Sequence, residues 1–251
     1  MNITETTENL IEWIRGWFKS NGNNSPAVIG ISGGKDSTVC AKLLVEALGK
    51  DRVIGVLMPN GKQTDIDDSK KVCEILDIKP RTININKTYD SILEGFSEMG
   101  FQAGTNLNFS TNTPARIRMT ILYGISAIVN GRVCNTTNLS EKIVGYGTIF
   151  GDVAGDFSPL GYLTKEEIVM IGDELKLPKD LVHKIPSDGM SGKSDEDNLG
   201  ITYKEISDFI RNGVENPKVL EKCVATEFKR KLINIPSFVP KDVQMMYSRF
   251  L

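Results

Sequence analysis

Val28-Ile29-Gly30-Ile31-Ser32-Gly33-Gly34-Lys35-Asp36-Ser37 decides the fold. The apolar start reads as a buried strand. It breaks into small polar residues and then into a periodic segment with Val39, Leu43, Leu44, Ala47 and Leu48 on one helical face. Strand, glycine turn and helix start present free backbone N–H groups to an anion, and the helix dipole favours negative charge there. A phosphate-binding turn follows, with an ordinary strand-to-helix turn capped by Ser or Asp as the bland alternative. The spelling excludes two other phosphate loops. Gly34-Lys35 is followed by Asp36, so the Walker A pattern fails, and Gly30 is followed two residues on by Ser32, so the dinucleotide fingerprint fails as well. What remains is S-G-G-x-D-S.

Working outward, Leu10, Ile11, Trp13, Ile14, Trp17 and Phe18 fall at helical spacing between Glu8 and Lys19, either a lid packed on the domain or a subunit interface. Arg52–Met58 and Arg81–Asn86 read as strands; Asp65–Leu76 and Tyr89–Met99 read as helices. This alternation predicts an α/β fold, a doubly wound parallel sheet flanked by helices in a single domain over residues 1–251, with its ligand crevice at the strand C-termini.

Gly100–Thr113 is polar and reads as a loop, and Pro114 then opens a helix to Asn130. Arg116 and Arg118 would stand at its positive end and call for an anionic partner there. Gly131–Thr137 is the next strand. Asn138–Leu163 shows little apolar periodicity and reads as a functional loop. Thr164 with Glu167 spells a capping box. Pro178–Leu199 again reads as irregular, Tyr203–Ile210 and Pro217–Leu232 as helical, and Ile235–Pro240 as extended.

Bulk properties exclude several classes. Of 251 residues 40% are hydrophobic and 25% charged, as in an ordinary globular protein. A net charge of −2 opposes a chain built to hold nucleic acid by counterion release. No apolar run approaches a membrane span, and the first residues carry Thr and Glu where a signal peptide would be basic and then apolar. Cys40, Cys73, Cys134 and Cys223 are widely separated, which suits buried thiols in a reducing cytoplasm. The lone His183 has no metal-ligand pattern around it.

The S-G-G-x-D-S string resembles the PP-loop of the ATP pyrophosphatases, which split ATP between the α and β phosphates. Further strings narrow the resemblance to the ammonia-dependent NAD synthetases: Pro59-Asn60-Gly61, Ala115-Arg116-Ile117-Arg118-Met119, Thr136 to Glu141, Gly151-Asp152, Asp156, Pro159-Leu160, Leu163-Thr164-Lys165 and Ser194-Asp195-Glu196-Asp197 before Leu199-Gly200-Ile201. These strings cover most of the chain in order. The resemblance implies an adenine nucleotide alpha hydrolase-like fold and a ligase of NAD biosynthesis. It would amidate nicotinic acid adenine dinucleotide (deamido-NAD) with ammonia, through an acyl-adenylate, releasing AMP and diphosphate.

By the same resemblance Gly30, Ile31, Ser32, Gly33, Gly34, Lys35, Asp36 and Ser37 hold ATP with Thr136, Lys165 and Ser187. Asp36 and Glu141 bind Mg²⁺, and Asp36, Glu141 and Lys165 form the catalytic set. Arg116, Asp156, Phe228 and Lys229 contact deamido-NAD, Phe228 either stacking on a ring or packing. Family members carry Lys where Ile149 stands and often His-Lys at Phe228-Lys229, and Lys142 is the residue that could replace the missing charge. A homodimer with the Pro114–Asn130 helix near its interface is implied, with no nucleic acid or membrane as partner. No domain-sized segment remains for a glutaminase, so ammonia is the expected nitrogen source.

Overall fold

The computed structural model describes residues 1–62, 66–184, 194–232 and 237–241. Four parallel strands, β1 (Ala27–Gly30), β2 (Val53–Leu57), β3 (Arg81–Thr82) and β4 (Arg132–Val133), lie in the order β3-β2-β1-β4. Ala27 pairs with Val53 on one side and Arg132 on the other. Because successive strand residues point to opposite faces, the sheet sorts its apolar side chains into two layers. Ala27, Ile29, Ile31, Val53 and Leu57 enter one core cluster, and Val28, Val56, Met58 and Val133 the other.

The first layer is covered by α1 (Ile3–Asn21), α2 (Lys35–Leu48), α3 (Ile66–Ile75), α7 (Lys165–Glu174) and α8 (Lys179–Val182). The second is covered by α4 (Asn86–Glu98) and α5 (Leu107–Val129). Helices on both faces make the sheet doubly wound, as the alternation of elements predicted. α1 is a packed lid: Trp17 stacks on Phe157 with ring centroids 4.6 Å apart, and Trp13 meets Phe238 edge-on at 5.9 Å.

A third apolar cluster joins α6 (Leu139–Val144), α9 (Asp195–Leu199), α10 (Tyr203–Ser207) and α11 (Pro217–Ala225), the last followed by α12 (Glu227–Leu232). Leu139, Ile143, Tyr203, Ile206, Phe209 and Cys223 are buried in it. Contacts of α10 with both α6 and α7 tie this cluster to the sheet.

Several expectations change. The polar stretch before Pro114 is not a loop, because α5 begins at Leu107 and Pro114 lies inside it. The Asn106 side chain caps it, accepting from Phe109 N–H at 3.0 Å, and the Ser110 and Thr111 hydroxyls donate back to the Leu107 carbonyl. Helix is therefore built there by polar side chains rather than by an apolar stripe. Arg116 and Arg118 consequently sit mid-helix, where no terminal dipole opposes them. The segment after β4 also contains α6, and Pro178–Leu199 contains α8 and α9.

Strand β1 marks the point where the strand order reverses, since β2 lies on one side and β4 on the other. In open α/β sheets the ligand crevice lies outside the strand C-termini at this reversal. Here that places residues 31–36 beside residues 134–138.

Candidate active site

The turn after β1 is shaped by a few short-range bonds. Ser37 Oγ donates to the Gly34 carbonyl at 3.1 Å and accepts from Ser32 N–H at 3.2 Å; Thr38 Oγ1 donates to the same carbonyl at 2.8 Å. Gly33 has φ +78°, and a Cβ there would lie 2.8 Å from Asp68 Cβ and 2.9 Å from Ser69 N, so neither the conformation nor the space admits a side chain. Gly34 is the N-cap of α2 and offers no side-chain acceptor. The side chains of Asn2, Asn106, Asn138 and Thr164 do cap α1, α5, α6 and α7. The first-turn amides of α2 are thus left for a ligand, at the positive end of a fourteen-residue helix.

Three charged side chains converge on this turn. Asp36 stands in the first turn of α2, Glu141 in that of α6, and Lys165 opens α7. Lys165 Nζ donates to Asp36 Oδ2 at 2.6 Å and to Glu141 Oε1 at 2.9 Å. The remaining oxygens are committed as well. Asn138 Nδ2 donates to Asp36 Oδ1 at 3.2 Å, and Glu141 Oε2 accepts the Asn138 N–H at 3.2 Å in a reciprocal capping box. Lys165 is 5% exposed, and its backbone N–H donates to Ser140 Oγ.

Burial pushes Glu141 up to about 7 against the pull of Lys165, with Asp36 adding to the rise. Burial by itself would lower Lys165, but the two carboxylates outweigh it and keep the ammonium charged well above its ordinary range. Lys35, next to Asp36, is lowered by burial and then by Lys165.

Beneath the lysine lies an aromatic support. Lys165 Nζ sits 4.8 Å from the Tyr203 ring centroid, and Tyr203 Oη donates to Asp195 Oδ2 at 3.1 Å. Tyr146 Oη donates to the other Asp195 oxygen at 3.3 Å. Burial pushes both Asp195 and Tyr203 up. Asp195 and Asn138 lie within the family strings with no role assigned by the sequence, and Tyr203 does not stand out in it. Asn138 could have been found, because Asn followed three residues later by Glu before an apolar run is a helix-start signature.

The expected dinucleotide contacts fare differently. Lys229 lines a cleft beside Glu141 that encloses about 510 Å³ of space open to solvent, together with Thr137, Lys142 and Tyr146. Its Nζ donates to the Gly145 and Gly147 carbonyls at 2.7 and 2.8 Å. Arg116 Nε donates to the Ile149 carbonyl at 3.1 Å. Asp156 accepts the Val133 N–H at 2.7 Å and the Tyr123 hydroxyl at 3.2 Å. Phe228 is exposed, Thr136 is half-buried past β4, and Ser187 lies outside the described residues. Lys142 projects over the Tyr162 ring at 5.1 Å.

No helix among the described residues is long and apolar enough to cross a membrane. A family model for NAD synthase matches residues 6–242. An NH3-dependent NAD(+) synthetase from Fusobacterium nucleatum is 36% identical over 93% of this chain and 89% of its own length. Among solved structures, NMN synthetase from Francisella tularensis is similar with a TM-score of 0.84 and 33% identity, covering 95% of this chain and 100% of that one. The NH3-dependent NAD synthetase from Campylobacter jejuni, in complex with nitrate, follows with a TM-score of 0.74 and 29% identity, covering 94% and 99%. A PP-loop turn facing a Lys-bridged carboxylate pair, in a chain that matches these proteins along nearly its whole length, makes it a C–N bond-forming ligase that belongs to the NAD synthase family.

Proposed function

We propose that this ligase makes NAD from deamido-NAD, ATP and ammonia through an acyl-adenylate, as the last step of NAD biosynthesis in the cytoplasm. The observation that carries the reading is the meeting of Lys165 with Asp36 and Glu141 at the mouth of the phosphate-binding turn. A carboxylate is a poor acyl donor because its leaving group would be oxide. Attack of the nicotinate oxygen on the ATP α-phosphorus expels diphosphate and leaves AMP as the group that ammonia then displaces. That first step brings an anion against a polyphosphate, so its barrier is lowered chiefly by positioning and by positive charge. The α2 amides and Ser32 would receive the phosphates of ATP. Lys165 would supply a fixed cation beside them, held in place by its two carboxylates and by Tyr203.

The residues present fit Mg²⁺. Asp36 and Glu141 flank the Lys165 ammonium, and their hard carboxylate oxygens, each with a lone pair beyond the one that the ammonium uses, would suit a hard cation beside it. Among the described residues no cluster of three or more His, Cys, Asp or Glu surrounds a common point, so phosphate oxygens and water would complete the coordination. When bound, the ion would neutralise polyphosphate charge and favour diphosphate as a leaving group.

A second reading differs only in the substrate. The neighbour from Francisella tularensis is an NMN synthetase, and Arg116, Asp156 and Lys229 all bond to groups of this chain's own. Ile149 offers no charge to a second phosphate. These features favour nicotinic acid mononucleotide as a substrate. One assay tests both readings: purified protein with ATP, Mg²⁺ and ammonium, given either nucleotide, scored for AMP and the amidated product. NAD and AMP in equal amounts support the main reading, a preference for the mononucleotide supports the second, and no product from either rejects both. For assembly, the reading includes a homodimer through α5, whose Ile128 is 85% exposed; a single-chain mass in light scattering would contradict it.

A further inference from the structure

The Lys165 ammonium carries three N–H groups, and two are spent, on Asp36 Oδ2 at 2.6 Å and Glu141 Oε1 at 2.9 Å. The third has no acceptor among the described residues. A third carboxylate nevertheless acts on this lysine. Asp195 is 6% exposed and makes no direct ion pair with Lys165; between them lies the Tyr203 ring, its centroid 4.8 Å from Nζ.

Tyr203 is held at both ends by two acids adjacent in sequence. Its backbone N–H donates to Glu196 Oε1 at 2.7 Å, and its hydroxyl donates to Asp195 Oδ2 at 3.1 Å. Tyr146 Oη fixes the other Asp195 oxygen at 3.3 Å. The ring is thereby oriented with Nζ over its face.

The interposed ring has a chemical consequence. A carboxylate set directly on Nζ would take the third N–H and leave none for a phosphate oxygen. An aromatic face attracts the ammonium through its quadrupole and leaves that N–H free. Donation of the phenol proton to a carboxylate polarises the phenol and enriches the ring in electrons, which strengthens its hold on a cation. Asp195 thus adds negative charge to the support of Lys165 without consuming a donor.

We propose that Asp195 is a positioning residue for the ligase reaction: through the Tyr203 ring it fixes the Lys165 ammonium with one N–H directed to a phosphate oxygen of ATP. This rests on the reading that Lys165 serves the adenylation step, and it holds for either nucleotide substrate.

The adenylation step is read alone by exchange of labelled diphosphate into ATP, with nucleotide and Mg²⁺ but no ammonia. In the full chain Tyr203 is replaced by phenylalanine carrying no, one, two or three ring fluorines, which withdraws π electrons stepwise at nearly constant shape. The exchange rate should fall with each fluorine, by about tenfold over the series, with a level melting temperature and a smaller change in KM for ATP. Asp195→Asn should slow exchange by about tenfold in the wild-type enzyme and have no further effect in Tyr203→Phe, where the hydroxyl link is gone. A flat fluorine series overturns the proposal, as do additive losses from Asp195→Asn and Tyr203→Phe. Undiminished exchange in Lys165→Met overturns it together with the reading on which it rests, whereas a slow Lys165→Met beside an unimpaired Asp195→Asn overturns the proposal alone.

Discussion

The Lys165 ammonium lies 2.6 Å from the Asp36 carboxylate, although the two residues stand 129 positions apart in sequence. Asp36 enters through the turn after β1, and Lys165 through the capped start of α7. Their meeting joins the turn after β1 to the second half of the chain. It also leaves two carboxylates facing one another across a single cation.

Lys165→Met keeps the side-chain length and removes the charge. Asp36 and Glu141 then repel across a largely buried gap, and breaking a buried pair by removing one partner costs about 3–5 kcal/mol. Urea denaturation should show a loss of that size, and turnover should fall by at least about 100-fold, the scale of losing one positioned charge at a reaction centre. Adding Asp36→Asn to Lys165→Met should recover part of the stability and none of the activity. Independent, additive losses in this double-mutant cycle would show that the two residues are not coupled.

Glu141→Gln separates the cap from the charge. Glutamine serves in a capping box as well as glutamate does, so α6 should survive and the melting temperature should change little. Loss of the carboxylate should reduce Mg²⁺-dependent turnover by at least about 100-fold and raise the Mg²⁺ concentration needed for half-maximal rate. Unchanged kinetics would remove Glu141 from the site.

Gly33→Ala places a Cβ against Asp68 and Ser69 in a left-handed backbone. Strain of this kind is worth about 1–3 kcal/mol. Either the turn opens and ATP binding weakens, or the start of α3 is displaced and stability falls by that amount. Wild-type melting temperature together with wild-type KM for ATP would contradict the close packing of this turn.

Tyr123 gives a pH signature for Asp156. Burial pushes the Tyr123 phenol up to about 12, and the neighbouring Asp156 charge adds to the shift. A folded pKa above the unfolded value of about 10 gives stability that is present below pH 10 and is lost as pH rises toward 12. Tyr123→Phe should flatten the fall in stability over that window while leaving the neutral-pH fold intact. An unchanged alkaline transition would mean that the buried Tyr123 phenol does not contribute to stability over this window.

Legibility in the sequence followed the local physics. The strand, glycine turn and helix around Ser32–Ser37 could be read because apolar periodicity and backbone freedom are local properties, and the Thr164–Glu167 box was legible for the same reason. The first two turns of α5 were not, because Asn106, Ser110 and Thr111 build helix through side-chain bonds to the backbone, and such residues serve loops equally well. Glu141 was placed at the site by resemblance, yet half of its work is to cap α6, a role readable from Asn138. Tyr203 was opaque because its role comes from packing across α7 and α10, between positions about 40 residues apart, and Asp195 because its partners Tyr203 and Tyr146 stand on other elements.

In the proposed reaction the nicotinate carboxylate is adenylated in the site formed by the turn, Asp36, Glu141 and Lys165, and ammonia then displaces AMP. Isotope transfer tests it most directly. Deamido-NAD labelled with ¹⁸O in its nicotinate carboxylate is incubated with the enzyme, ATP, Mg²⁺ and ammonium, and the released AMP is analysed by mass spectrometry. Each AMP formed alongside NAD should carry one labelled oxygen, because the oxygen that attacks the α-phosphorus leaves with it. AMP free of label, or ADP in its place, would contradict it.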